Sequence, residues 1–326
     1  MFPTIRAVFA ALLAVVSVGC ATSSAIPLKQ EALARIQSTR AHIIISQDEI
    51  NADVAEFGSP PTLGLLGVLI DVSVTAKRAS KTSLVLEPVR KQLTDFDFRA
   101  DFENKFRTTL ADLPRLKIDQ TEITGQPYSV ETHNRMRAAM SQDSLLVMLV
   151  SYQLSSDYRS LVVHGTATLW QRGQEEAQYL GAYRYLSAPI SSKSGETAVK
   201  AWTNNNAESL RAAMREGIDE TIRMLRVDFM PKAATEQTDM PLGADGERKV
   251  VTIYLPRGVY KGGVSTVKLS HIASEILSKD NGRIIFRSKY ADRYTHPGHI
   301  HSATTRQRFE MPVAASSAQP SGDARR

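Results

Sequence analysis

The sequence predicts an α+β fold: a largely antiparallel sheet with helices packed on one face, plus a small C-terminal β-rich element. Two observations carry the main part. Three apolar stretches between Ser144 and Tyr185 follow one another through short polar joins, the pattern of an antiparallel meander. Apolar residues at three- and four-residue spacing flank them, at Phe98, Phe102, Phe106, Leu110 and Leu113 before, and at Leu210, Met214, Ile218, Ile222 and Leu225 after. That spacing lines one face of a helix. Strands grouped together, with helices outside the group, segregate the helices to one side of the sheet.

The elements follow in order. Residues 20–40 read as a tether with some helical character. His42 to Ser46 is an apolar run of strand length, and Ile50 to Val54 extends it or pairs with it. Gly58-Ser59-Pro60-Pro61 breaks the chain. Leu63 to Ile70 is eight residues without charge. It is too short to span a bilayer and reads either as a glycine-containing helix packed on the body or as a membrane-touching segment. An amphipathic helix continues to about Lys91. The phenylalanine stripe makes a helix from Phe98 to Asp112, which Pro114 ends. Leu116 to Ile118 reads as a strand and Val130 to Met140 as a helix.

The meander strands are Ser144 to Leu154, Leu161 to Trp170 and Tyr179 to Tyr185. In the second, Leu161, Val163, Gly165, Ala167 and Leu169 alternate with Val162, His164, Thr166, Thr168 and Trp170. The closing helix carries Asn204 to Asn206 as caps near its start. The main domain is therefore residues 41–230. Residues 231–246 are poor in apolar groups and read as a linker. Residues 247–295 form the small element, with Asn281-Gly282 as a hairpin-type turn. From His296 onward the Thr/Ser/Ala/Pro-rich composition predicts a disordered tail, residues 296–326.

Composition sets outer bounds. The 326 residues are 42% hydrophobic and 23% charged, with a net charge of +6. That is the balance of a folded body with room for a full core. The positive charge is local: residues 247–310 hold 12 Lys/Arg against 5 Asp/Glu. Arg283, Arg287 and Lys289 fall on one face of a strand, with Ile284, Phe286 and Tyr290 on the other. This is a candidate contact for an anionic surface, such as lipid headgroups or lipopolysaccharide, competing with an ordinary solvated face. Nucleic acid is not expected as a partner.

Catalytic patterns are missing. There is no phosphate loop ending in Lys-Ser/Thr, no G-x-S-x-G and no H-E-x-x-H, so no enzyme activity is expected, nor any cofactor. His296, His299 and His301 have the content of a metal site, but the intervening Pro-Gly prevents a helix from aligning the rings, so no specific metal is expected. His164 lies mid-strand and reads as a sheet histidine rather than a catalytic one.

Cys20 is the only cysteine. Before it stand a basic Arg6, an almost wholly apolar run from Ala7 to Val18, and Gly19; after it stands Ala21-Thr22-Ser23-Ser24. These are the parts of a secretory signal, residues 1–19. The cysteine after Ser17-Val18-Gly19 resembles the lipobox of bacterial lipoproteins, with Ser17 where those signals usually carry Leu. The resemblance implies cleavage before Cys20, acylation of its thiol, a membrane anchor, and, with Ala21 rather than Asp next, an outer-membrane protein facing the periplasm. The order of elements from about residue 80 to 230 also resembles the small domain of curli-secretion lipoproteins, penicillin-binding-protein activators and the N-terminal domain of the Tol translocation protein. Those families imply a binding or assembly module that works with an envelope protein partner. The alternative is an oligomeric secretion-pore or channel subunit, in which residues 63–70 engage the membrane.

Overall fold

The computed structural model describes residues 25–52, 76–110, 113, 116–230, 252–254, 266–268, 273–280, 282–288 and 298–305. Its elements are α1 (Gln30–Ala34), β1 (Thr39–Ile44), β2 (Asn51–Ala52), α2 (Ala76–Gln92), α3 (Phe98–Leu110), β3 (Ile118–Thr124), α4 (Val130–Ala138), β4 (Ser144–Leu154), β5 (Leu161–Gln171), β6 (Ala177–Leu186), α5 (Glu196–Phe229), β7 (Thr252–Tyr254), β8 (Thr266–Lys268), β9 (Ala273–Asp280), β10 (Arg283–Ser288) and β11 (Ile300–Thr304). The expected α+β class is the observed one.

One sheet runs through the molecule in the order β3-β1-β4-β5-β6-β11-β10-β9, with β2 beside β4. Its longest ladders, β4–β5 and β5–β6, are antiparallel, as the short polar joins predict. The strands before the meander pair in parallel: β1 with β3 and β4, and β2 with β4. In β4, Leu146, Met148, Val150 and Tyr152 face the main core, while Leu145, Val147 and Leu149 belong to a second cluster with Ile44 and Tyr128. Burial on both faces explains the unbroken apolar run that the sequence shows there.

The main core lies under α2, α3 and α5. Phe98, Phe102, Phe106 and Leu110 are all buried in it, together with Leu86 and Val89 of α2. Helix α5 lies directly on β5 and β6, and α2 and α3 pack against it. The three long helices thus share one face. The short α4 is different: Met136 and the following Met140 pack on the second cluster, across the sheet. Helix α5 begins before Asn204 and is interrupted there. Asn204 is extended, and Asn205, Asn206 and Ala207 have left-handed φ of 50°, 55° and 55°, so the asparagines mark a break inside the helix rather than its start. Asn tolerates that region better than most residues.

Three boundaries move. Leu33 and Ile36 are buried in the main core, so the segment expected to be a tether to residue 40 already belongs to the body. The strand expected at Leu116 to Ile118 runs instead over Ile118–Thr124. Its Asp119, Gln120, Thr121 and Glu122 are tolerated because it sits at the sheet edge, where none of its residues is fully buried.

The largest change is at the C-terminus. Residues 300–304, expected inside a disordered tail, form β11, whose five residues are all buried. It pairs in parallel with β6 and antiparallel with β10. Strands β9 to β11 therefore continue the main sheet, and Leu277, Ile285 and Ile300 join the main core. The expected separate small element is not separate. Composition misleads here because His301, Ser302 and Thr304 are polar, yet neighbours on the sheet and on α5 surround them. The pair β7–β8 lies on the opposite face, where Ile253 bridges Thr305 and packs with Val162, Leu186, Phe286 and Ala303. The expected linker at residues 231–246 and the apolar run at 63–70 lie outside the described residues. Among the described residues no helix is long and apolar enough to cross a membrane.

Candidate functional site

Glu216 and Glu220 lie one turn apart on α5, and Asp228 lies about two turns further on. All three face β10 and β11. Arg283 of β10 is 4% exposed. Its guanidinium donates to Glu216 Oε1 at 3.3 Å, Ser302 Oγ at 3.2 Å, Thr304 Oγ1 at 3.0 Å and the Leu186 carbonyl at 2.7 Å. It also lies 4.5 Å from the Tyr185 ring centre. Arg287 donates to Asp228 at 3.0 Å, Glu275 at 3.3 Å and the Gly298 carbonyl at 3.0 Å. Burial opposes its charge, but Asp228 and then Glu275 outweigh that and raise its pKa.

These contacts correct the predicted anionic-surface stripe. Arg283 and Arg287 point inward and are neutralised within the fold, and Lys289 lies outside the described residues. The sequence carried a signal for this: the acids of α5 fall beside its apolar stripe, where unpaired carboxylates would be costly. Serine and glutamate complete the layer. Ser302 Oγ donates to Glu220 at 2.5 Å, and Arg223 bridges Glu220 and Ser278.

A tyrosine cluster continues the network toward the start of the body. The Tyr179 and Tyr183 hydroxyls contact each other, and Tyr179 donates to Asp228. Burial, then the Asp228 charge, pushes both phenols well above their usual pKa, so they remain donors. Beside them lie the first described residues. Ile26 forms a bridge with Leu180 of β6, with N–H to carbonyl distances of 2.9 and 3.1 Å in the two directions. Ala25 lies against Gly298, whose φ of +92° suits glycine and where a Cβ would stand 3.1 Å from the Ala25 methyl. The first described residues are thus held at the corner formed by β6, the Gly298 turn and the Arg287–Asp228 pair.

On the opposite face, His301 stacks on Phe286 with ring centres 5.1 Å apart. His164 stands across from Arg184, and Arg184 across from His301. Burial, then Arg184, then His299, depresses both imidazoles, His164 to about 3 and His301 well below its usual value. The sheet therefore brings His164 together with His299 and His301, a grouping that sequence distance hides. His296 and Cys20 lie outside the described residues. Among the described residues no three His, Cys, Asp or Glu are arranged to hold a metal ion.

No protein-family model matches the chain, and no curated protein matches it. Among solved structures it is similar to a Xanthomonas campestris protein of the DUF330 family, at 11% identity and a TM-score of 0.27, covering 64% of this chain and 89% of that one. It is also similar to a hypothetical protein of Chlamydia trachomatis, at 5% identity and a TM-score of 0.26, covering 59% of this chain and 98% of that one. Both are bacterial proteins, and TM-scores of this size fall short of a shared fold.

Proposed function

We propose that this chain is a lipid-anchored lipoprotein of the bacterial envelope, tethered to the outer membrane through Cys20, whose body is a binding or assembly module for an envelope machine. One observation supports the reading beyond the signal-like N-terminus. Ile26 is already bridged to β6, six residues after Cys20. Six residues of fully extended chain reach at most about 20 Å. An acylated Cys20 would therefore hold the corner of β6, the Gly298 turn and the Arg287–Asp228 pair close to the bilayer. A body held that tightly works at the membrane surface rather than ranging away from it. The order of its elements, which resembles domains that bind proteins or assemble, favours an interaction role.

The test is fractionation. Cys20→Ser should move the protein out of the membrane fraction, and metabolic palmitate labelling should vanish with it. Membrane association unchanged in Cys20→Ser, with the signal still cleaved, would refute the anchor. Size measurement then separates the two kinds of partner role: a monomer or dimer fits the module, whereas a ring of many copies would replace it with the pore subunit.

A further inference from the structure

Across β4, β5, β6, β11 and β10, on the face turned away from the long helices, one row of register partners reads Ser151, His164, Arg184, His301 and Phe286. Side chains directly opposite in a ladder have Cβ atoms about 4.5–5.5 Å apart, so the row is a continuous patch. His299 lies two residues before His301 and so on the same face. Its charge acts on both His164 and His301. None of these positions is an acid.

The patch has a buried end, where Ile253 of β7 packs beside Phe286 on the same face, and a half-buried end. Arg184 is 3% and His301 4% exposed. Ser151, His164 and His299 are half-buried. At the deep end His301 Nε2 is buried with no hydrogen-bond partner among the described residues. An unmet polar atom of this kind is costly unless something supplies its partner. The three imidazoles spread along the row instead of converging, which does not suit a metal ion. They and the guanidinium can all present N–H donors, and a guanidinium has five, enough to serve the fold and a ligand together. A tetrahedral oxyanion offers the complementary features: negative charge and several acceptors arranged around one centre.

We propose that His164, Arg184, His299 and His301 form an oxyanion site that takes a phosphate group. His164, Arg184 and His301 lie on three adjacent strands at the middle of the sheet, with His299 just before the third, so the strand donors are held rigidly before the ligand arrives. Phe286 stacks on His301 and fixes the plane of that ring. The site does not involve Cys20, so its failure would leave the proposed anchor standing, and failure of the anchor would leave the site standing.

The test is titration calorimetry on the detergent-purified full chain, in buffers matched in ionic strength with chloride. Inorganic phosphate is one ligand. Short-chain phosphatidylglycerol below its micellar concentration is the other. Saturable phosphate binding at one site per chain, weakened about tenfold or more in His164→Phe, which keeps the ring but removes its N–H donor to the anion, supports a site for free phosphate. Binding of the short-chain lipid that inorganic phosphate displaces, weakened by the same variant, supports a headgroup site. His164 is half-buried, so this variant should keep the fold; His301→Phe probes the deep end, with its thermal midpoint checked alongside. No binding of either ligand above the chloride control would overturn the proposal. So would binding that neither variant changes.

Discussion

Replacing Gly217 with alanine should destabilise this protein, although helix propensity alone predicts the reverse. Gly217 sits inside α5, where Gly→Ala normally gains about 0.8–1 kcal/mol. Here the new Cβ would stand 2.7 Å from Val163 Cγ2 and 3.1 and 3.2 Å from Tyr185 Cδ1 and Cε1. Comfortable carbon contacts are about 3.5–4.0 Å, so α5 would have to rise about 1 Å from β5 or push the ring aside. The ring is not free to move: its hydroxyl donates to Glu216 at 2.8 Å and Arg283 covers its face at 4.5 Å. Overpacking of this kind costs about 1–3 kcal/mol. Set against the propensity gain, the net loss should be about 1 kcal/mol, or about 2–4 °C in thermal midpoint for a body of this size. Gly217→Val should lose more. Thermal and urea melts of the purified protein give both values, with an unchanged urea slope showing that the denatured state is the same. A midpoint for Gly217→Ala at or above wild type would show that α5 does not sit this closely on the sheet.

Three further outcomes follow from the packing. Phe102 is fully buried on the α3 stripe, so Phe102→Ala should cost about 3–5 kcal/mol; Lys105→Ala, which removes only a half-exposed pair with Asp219, should cost under about 1 kcal/mol. Equal midpoint shifts for the two would mean the stripe faces elsewhere. Arg283→Ala should lower stability by about 3–5 kcal/mol, because it removes the buried cation that pairs with Glu216 and donates to Ser302, Thr304 and the Leu186 carbonyl; a change no larger than that of a surface arginine such as Arg135→Ala would place Arg283 at the surface after all. Stability in phosphate-free buffer should fall as pH drops below about 6.5, the unfolded imidazole value, because His164, His301, His42 and His133 all have lowered folded values. Their unfolded forms take up protons first, so this stability is complete above that pH and is lost toward about 3 for His164. Urea melts at pH 7.5 and 5 should show the fall, shallower in His164→Gln; an identical pH slope in wild type and variant would exclude His164 as a source.

What was readable in the chain was whatever short-range pattern carries. Helical spacing placed the Phe98 to Leu110 face, and alternation with short joins placed β4, β5 and β6 and their antiparallel order, because both depend only on residues a few positions apart. The sequence also marked the asparagine triplet as special and singled out the histidines and arginines near the C-terminus. Pairing over long distances was a different matter. Strand β11 looked like tail because its polar residues find partners only on α5 and β10, more than 70 residues earlier in the case of Glu220. The edge strand β3 looked like loop because an edge needs no apolar face. Arg283 and Arg287 looked like surface because a strand pattern shows that residues share a face, and not what covers that face. The acids of α5 cover it, and they convert an apparent contact stripe into an internal ion-pair layer. The same pairing of β5, β6 and β11 gathers His164, Arg184 and His301 into one row from positions up to 137 apart. Local spacing decides which element forms; only the closing of the sheet decides which side chains meet, because that depends on the free energy of the whole core rather than of any one segment.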